Sequence, residues 1–281
     1  MFEIQFYCRP SESGTVRVRY DPSVDFASRL SDADKRAVES NWARLIKADA
    51  SLWGPAELGT LVDASDGNLR YGRASYDIWR AAHDMRGQNN LSQRIFDELK
   101  ISSVGVAVAT SDGKVLVHEK PAGAPAGGRL DSSANGFCEL KDGQLDFDIS
   151  AREKLQRELG IESSDLTRLE LRGVHSASDY YSGMLAYSAE TSLTFNEVNE
   201  RLNTRYVHKL HGIDKEKLPG YTAEKYTSGE LIGDGAATLM AALDHDEFIK
   251  TIQRIRGFGG KIRLGKLDNG EFIESIDDAL G

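Results

Sequence analysis

Alternating apolar and polar residues mark the most regular parts of this chain. Near its start, "FEIQFYC" and "TVRVRY" alternate on either side of the turn residues "PSESG". The same pattern recurs further on, where "VGVAVAT" and "KVLVHEK" flank "SDGK". A period of two places one face of a strand in the core, and a short polar turn between two such runs is typical of a hairpin. The sequence therefore predicts one hairpin over 1–20 and another over 101–120.

A helical spacing of apolar residues replaces this alternation in other segments. Val38, Trp42, Leu45 and Ile46 fall on one face of a predicted helix over 31–49, which Ser31 or Asp32 can cap. A second helix is predicted in "DISAREKLQREL", and Gly160 follows it as a stop signal.

The second of these helices carries its own start signal. Ser150, followed three residues later by Glu153, has the spacing of a capping box. Ile149, Leu155 and Leu159 then form the face that is predicted to point inward.

The second half of the sequence alternates between strand-like and helix-like segments. Strands are predicted in "LTRLELRGVHSAS", in "SGMLAYSAET" and, as the last one, in "AEKYTSGELI". Helices are predicted in "TFNEVNERLNTRY", where Thr194 and Glu197 form a capping box, and on both sides of a break at Asp244. Helix-bearing parts flank a strand-rich middle, so the fold class is α+β. The predicted organisation is an extension over 1–100, a central domain over 101–245, and a helix with a tail over 246–281.

Composition limits the classes of partner. The chain has 281 residues and a net charge of -9, which argues against broad binding to nucleic acids or membrane surfaces. Its two cysteines, Cys8 and Cys138, lack a metal-binding spacing and fit a reducing cytoplasm. No apolar run approaches the roughly 20 residues of a membrane span, and the first residues do not read as a signal peptide. We therefore predict a cytoplasmic protein with a small-molecule ligand.

The order of hairpin, Gly-rich loop, helix, "ELGI" and strand resembles the catalytic domain of the Nudix hydrolases. The motif of that family reads G-x5-E-x7-R-E-U-x-E-E-x-G-U, where U is a bulky aliphatic residue. Leu155 and Ile161 match its aliphatic positions, Glu158 matches the second residue of its Glu-Glu pair, and Gly160 matches its last glycine. The resemblance implies a Nudix-like α/β/α sandwich with a mixed sheet and an N-terminal α/β extension.

The other motif positions of this helix carry different charges. Glu153 stands where the motif has arginine, and Lys154 and Arg157 stand where it has glutamates. In the family, these glutamates lie one turn apart and hold magnesium through oxygen ligands. Here Lys154, Arg157 and Glu158 together carry a net charge of +1. A cation about 4 Å from each basic group would meet a repulsion of about 4 kcal/mol per pair at an effective dielectric of about 20. The degenerate box therefore predicts little metal-dependent hydrolysis and a face that attracts a diphosphate directly.

The N-terminal half is similar to the region before the catalytic domain in the UDP-glucose pyrophosphatase branch of that family. The features that match are Trp42, "ASLWGPAEL" at 50–58, and "LRYGRASYDIW" at 69–79, in which Tyr76 falls on the tyrosine of the pattern. The resemblance implies a nucleoside diphosphate linked to another group as the ligand, a nucleotide sugar being one example. It also implies a homodimer.

Candidate site residues follow from the motif and its neighbouring loops. Each also has a structural interpretation: a lone histidine is more often part of the core, acidic loops favour a helix N-terminus, and paired tyrosines often pack at a strand edge. The candidates for catalysis are Glu158 and His175, with His175 as a base that titrates near neutral pH. The candidates for the ligand are Arg129, Asn135, Lys154, Arg157 and Tyr181, and, only if the protein is a hydrolase, Glu158, Glu139 and Asp146 are the candidates for a metal.

Three functions remain open at this point. The protein binds the ligand without efficient turnover and needs no cofactor, or it is a magnesium-dependent pyrophosphohydrolase with a rebuilt metal site, or it is an interaction domain without a ligand. The charges of the helix favour the first over the second. The presence of Glu158 and "ELGI" argues against the third.

Overall fold

A computed structural model describes residues 3–8, 17–48, 56–65, 68–85, 95, 99–124, 126–177, 182–268 and 271–274. The strands are β1 Glu3–Cys8, β2 Arg17–Asp25, β3 Glu57–Ser65, β4 Asn68–Ser75, β5 Ile101–Ala109, β6 Lys114–Glu119, β7 Leu130–Asp131, β8 Ala134–Phe137, β9 Leu166–Ala177, β10 Ser182–Thr191, β11 Lys209–Asp214, β12 Lys261–Asp268 and β13 Glu271–Glu274. The α-helices are α1 Asp32–Ala48, α2 Tyr76–Asp84, α3 Phe147–Leu159, α4 Phe195–Arg201, α5 Leu218–Thr227, α6 Gly233–Ala241 and α7 His245–Gly257.

All of these strands belong to one mixed sheet. Its main path runs β11-β6-β5-β10-β9-β1-β12-β3-β4-β2, with β7, β8 and β13 attached beside it. The β1–β12, β10–β5 and β2–β4 pairs are parallel and the other pairs are antiparallel. The sheet also curls back on itself, because Thr60 of β3 bridges Ile101 of β5. The predicted α+β class with a mixed sheet is confirmed.

Helices cover both faces of the sheet and give it two cores. Val104, Val106 and Val108 of β5 pack with α3 and α4 on one face. The alternate residue Ala107 packs with α5, α6 and α7 on the other. A strand that is buried on both faces reads as a nearly continuous apolar run, which explains "VGVAVA". The architecture is therefore an α/β/α sandwich.

The N-terminal part adds a third core beside the sandwich. Phe26, α1, α2 and the start of β5 enclose it, with Trp79 and Ile78 among its buried side chains. The sheet continues through this part, because β1 lies between β9 and β12. The division of the chain at residues 100 and 245 stays a prediction.

Two sequence-based predictions of strands are wrong. The hairpin over 1–20 does not form between β1 and β2, because β1 pairs with β9 and β12 while β2 pairs with β4. "AEKYTSGELI" contributes instead to α5, where Ala223 and Tyr226 point into the core at helical spacing. Residues 57–65 also form a strand, β3, that the sequence analysis did not predict.

Helix α3 begins three residues before the predicted capping box. Asp146 is its N-cap and accepts a hydrogen bond from the Ile149 backbone N–H at 2.9 Å. The Ser150 hydroxyl instead donates to the Asp146 carbonyl. Ile149 consequently lies on the outer face and is 49% exposed, whereas Leu155 and Leu159 are fully buried as predicted.

The end of α3 gives a first test of the structure. Gly160 has a φ of 64°, and a Cβ there would lie 2.7 Å from the Cβ of Arg201. We expect Gly160→Ala to lower the free energy of unfolding by about 1–2 kcal/mol for the left-handed backbone alone, and further for the contact. Gly259→Ala is the control, because Gly259 has a φ of 81° and no neighbour within 4 Å. Chemical denaturation of both variants measures the difference, and equal losses would contradict the packing of Arg201 on this turn.

No helix in the described ranges is both long enough and apolar enough to cross a membrane.

Candidate functional site

A cavity of about 500 Å³ lies between the N-terminal part and the sandwich. Its walls come from α2, the end of β6, β8, the last turn of α3, the loop at 205–206 and the start of α6. Cavities of roughly 300–1,000 Å³ are typical of small-molecule sites. It is therefore the candidate ligand site.

Two arginines from different parts of the fold line this cavity. Arg80 of α2 is half-buried, and its Nη1 lies 3.4 Å from Nδ1 of His83. Arg205 is exposed, and its guanidinium lies 5.6 Å from the ring centre of Tyr206. Within the part of the chain that the structure describes, neither guanidinium pairs with a carboxylate. Both retain the donors that a planar fork presents to carboxylate or phosphate oxygens.

The lining of the cavity also contains an ion pair whose two charges cancel. Lys120 Nζ lies 2.9 Å from Asp131 Oδ2, and Oδ1 of that carboxylate accepts from the Ser132 N–H. Burial raises the pKa of Asp131, but the Lys120 ammonium and the His118 ring outweigh burial and hold the pKa below its usual value. Asp131 therefore stays ionised, and its charge offsets that of Lys120.

The last turn of α3 places Glu158 at the cavity wall. The Arg157 guanidinium pairs with Glu158 Oε1, and the backbone N–H of Asn135 donates to Oε2 at 3.3 Å. Arg157 also lies over the ring of Tyr206, 4.6 Å from its centre. Both carboxylate oxygens of Glu158 are thus engaged by donors. Of the predicted ligand residues, Asn135 lines the cavity with Glu158.

Lys154 lies behind the wall rather than in it. A Cβ on Gly136, a cavity residue, would sit 2.9 Å from Lys154 Cε and 3.1 Å from Nζ. The side chain is 6% exposed, and no hydrogen bond or ion pair joins its ammonium to another described residue. Burial first, and then the nearby Arg157, lower the pKa of Lys154 below its usual value. Because Gly136 has no side chain, the Lys154 ammonium lies close to the cavity and its positive charge contributes to the electrostatic potential there.

His175 does not line the cavity. It is fully buried, with Nε2 at 3.2 Å from Thr238 Oγ1 and Nδ1 at 3.6 Å from Asp234 Oδ1. Burial lowers the pKa of His175 to about 3. The ring is therefore neutral at physiological pH. The sequence had predicted that it titrates near neutrality. This placement argues against His175 as the general base.

The other predicted residues are scattered. The Arg129 Nε donates to the Gly229 carbonyl at 3.0 Å, on a separate surface beyond β7. Glu139 is exposed, and its backbone forms an isolated β-bridge with Leu58 of β3. Asp146 caps the far end of α3, which puts it about 18 Å along the helix axis from Glu158. Tyr181 lies outside the described residues.

These placements decide whether a family-type magnesium cluster fits. Magnesium needs several oxygen ligands in near-octahedral geometry, and Glu158 is the one carboxylate that this helix offers at the motif positions. Its oxygens are occupied, and Lys154 is buried one turn away. No group of three His, Cys, Asp or Glu side chains that could hold a metal occurs in the described part of the chain. The residues present do not fit that cluster, and Glu158, Glu139 and Asp146 are not brought together.

Tyr76 matches a family pattern in the sequence, but no residue of α2 is among the site candidates predicted from it. Tyr76, Trp79 and Arg80 all line the cavity. Trp79 and Arg80 follow Tyr76 by three and four residues, which places all three on one face of a helix. This spacing was the sequence signal that could have identified them. Arg205 and Tyr206 follow α4 in a loop and gave no comparable pattern.

Comparisons with known proteins give weak likenesses. No protein-family model and no curated protein matches the chain. The crystal structure of DR0079 from Deinococcus radiodurans is similar over 49% of this chain and 80% of that chain, at 17% identity and a TM-score of 0.39. The crystal structure of a Nudix hydrolase from M. Smegmatis, RenU, is similar over 49% of this chain and 79% of that chain, at 10% identity and a TM-score of 0.32. Scores this low do not establish a family.

Proposed function

We propose that this chain is a Nudix-like protein that binds a nucleoside diphosphate-linked ligand in the cavity and has little family-type hydrolytic activity. The order of β5, β6, the Gly-rich loop, α3 and β9 agrees with the order of elements that the sequence resemblance implies. The sandwich architecture agrees with it as well.

The observation that carries the proposal is a pair of cavity arginines that have no carboxylate partner among the described residues. Arg80 and Arg205 approach the same cavity from different parts of the fold. Two guanidinium groups that line one cavity suit an anion with several oxygens, since each can donate two parallel hydrogen bonds. A diphosphate presents oxygens to both groups at once.

Lys154 supports the same choice of ligand charge. An ammonium that is buried without an ion pair is costly, and an anion in front of Gly136 would compensate it. The sequence predicted that Lys154 and Arg157 contact the diphosphate directly. In this proposal both residues act on it indirectly. Lys154 acts through its field, and Arg157 neutralises Glu158 so that the carboxylate does not repel phosphate.

The rest of the ligand follows from the size of the cavity and from the sequence resemblance. A volume of about 500 Å³ accepts a nucleotide or a large part of a nucleotide sugar. The proposed ligand class is therefore a nucleoside diphosphate with a second group attached, a nucleotide sugar in the first instance. A homodimer remains part of the proposal on the resemblance alone.

A binding and turnover assay tests the proposal. The protein is incubated with nucleotide sugars and dinucleotides, with magnesium or manganese, and both its Tm and the released nucleoside monophosphate are measured. We expect a rise in Tm with at least one nucleotide sugar and no monophosphate above the background.

Two other results would replace the proposal. Monophosphate that forms with the wild-type protein and not with Glu158→Gln would show a hydrolase. No shift in Tm at millimolar ligand would favour an interaction domain without a nucleotide ligand. Glu162→Gln, at an exposed position after α3, is the matched control for the loss of a carboxylate.

A further inference from the structure

The loop of residues 202–208, which follows α4 and carries Arg205, is fastened to the last turn of α3. The side-chain Nδ2 of Asn203 donates to the Arg157 carbonyl at 3.1 Å, and the Asn203 backbone N–H donates to the Glu158 carbonyl at 3.2 Å. Carbonyls in the last turn of a helix have no partner within that helix. Asn203 therefore caps the end of α3 from another part of the chain.

The same asparagine also shapes the loop that it anchors. Its side-chain Oδ1 accepts a hydrogen bond from the Arg205 backbone N–H at 3.2 Å. Its backbone carbonyl accepts from the N–H groups of Tyr206 and Val207 at 3.0 and 3.1 Å. An asparagine side chain that bonds to the backbone two residues further on stabilises a turn. Asn203 thus fixes the path of the chain at Arg205.

The Arg157 side chain gives this loop a second attachment. Its guanidinium pairs with Glu158 and lies 4.6 Å from the ring centre of Tyr206. The Arg205 guanidinium lies 5.6 Å from the centre of the same ring. A guanidinium within about 6 Å of an aromatic ring is attracted to the face of that ring. The glutamate that the family motif has at position 157 carries the opposite charge and would lose this attraction.

We infer that Asn203 and Arg157 are positioning residues, which hold the 202–208 loop so that Arg205 stays at the cavity. Arg205 and Tyr206 line the cavity, whereas neither Asn203 nor Arg157 is part of its lining. The inference rests on the proposed function, in which Arg205 binds the anion. It also gives a role to the departure from the motif, because Arg157 braces a loop at a position where the family has a metal-binding glutamate.

Variants at Asn203 and Arg205, made singly and together, test the inference. The probe is the nucleotide sugar that raises the Tm most in the binding assay, and isothermal titration measures its Kd. Asn203→Ala should weaken binding about tenfold, because much of the contribution of Arg205 is lost with its position. In the Arg205→Met protein, the same change at Asn203 should alter the Kd less than twofold. A change that merely loosened the fold would act by the same factor in both proteins.

Asn199→Ala is the matched control for the loss of an asparagine side chain. Asn199 is exposed on α4 and does not line the cavity. Its replacement should leave the Kd within twofold of the wild-type value in both backgrounds.

Hydrogen exchange gives a second measurement, which needs no ligand. The amides of residues 205–207 should exchange at least tenfold faster in Asn203→Ala than in the wild type, because all three are bonded to Asn203. Arg157→Gln, which removes the charge beside Tyr206, should accelerate the same amides to a smaller extent. The amides of β5 should exchange equally in all three proteins.

The possible failures are distinct. An unchanged Kd in Asn203→Ala, or an equal loss with and without Arg205, would overturn the inference and leave the proposed function intact. Unchanged exchange in either variant would overturn the role assigned to that residue. If no nucleotide sugar binds to the wild-type protein, the proposed function fails and the inference fails with it.

Discussion

Replacing Arg80 and Arg205 together by methionine should weaken binding of a nucleotide sugar by at least about 100-fold. Each guanidinium is placed to make charge-assisted hydrogen bonds, which contribute about 1.5–3 kcal/mol each, and 2.7 kcal/mol already corresponds to a factor of about 100. Methionine keeps much of the length of the side chain and removes the charge. Isothermal titration at fixed salt measures the loss.

A charge-matched control separates local contacts from the overall field. Arg36 and Arg168 are exposed, and neither lines the cavity. Arg36→Met with Arg168→Met removes the same charge from the protein and should change the Kd less than threefold. Each cavity arginine alone should account for part of the loss, and its removal should make binding less sensitive to salt. If the Arg80 and Arg205 double variant binds as the wild type does, the anion site lies elsewhere.

Replacing Lys154 by methionine should make the protein more stable while it weakens binding. The ammonium is buried and pairs with no carboxylate among the described residues. Replacing buried ionic groups with apolar side chains of similar volume is often stabilising, by about 1–4 kcal/mol. Denaturant unfolding measures this gain. Ligand titration should show a weaker affinity, because the field behind Gly136 is lost.

The stability gained in Lys154→Met should depend on pH, and the lowered pKa of Lys154 predicts the direction of that dependence. The pKa of Lys154 is lower in the folded protein than the usual 10.5, first because of burial. Between the folded pKa and the unfolded one, the unfolded chain binds more protons, so stability rises with pH in that window. The gain of Lys154→Met over the wild type should therefore be largest below the folded pKa and shrink as the pH approaches about 10.5.

Lys141→Met is the control for this change. Lys141 is exposed and pairs with Glu153 on the outer side of α3. Its loss should alter stability by less than about 1 kcal/mol, with no comparable pH dependence. A loss of stability in Lys154→Met would show that the ammonium makes a stabilising contact in the folded protein.

The sequence predicted best those elements whose signals are local. Helix α1, the hairpin of β5 and β6, and the break at Asp244 all carry their own periodicity, turn or cap, and all are found. The hairpin over 1–20 failed because alternation identifies a strand without identifying its partner. β1 finds that partner far along the chain, in β12. In "AEKYTSGELI", Ala223 and Tyr226 are three residues apart and both face the core, which is a helical spacing. The prediction of a strand did not use this signal.

The site was predictable only in part, because it is assembled from distant segments. The motif located Glu158 at the cavity, and the loop before α3 located Asn135. Lys154 was expected on the ligand face, but the missing Cβ of Gly136 lets its side chain pass behind the wall. Arg80 and Arg205 come from α2 and from the loop after α4, and their proximity depends on how the N-terminal part docks against the sandwich. No local pattern encodes that docking.

The pairing of β1 with β12 constrains when the protein can form during translation. Glu3 is aligned with Lys261 in a parallel ladder, so β1 leaves the ribosome long before the partner strand β12 is made. Until then β1 has β9 on one side and an open edge on the other. Such long-range pairing slows folding, and chains that stall before residue 261 would expose a ready template for aggregation.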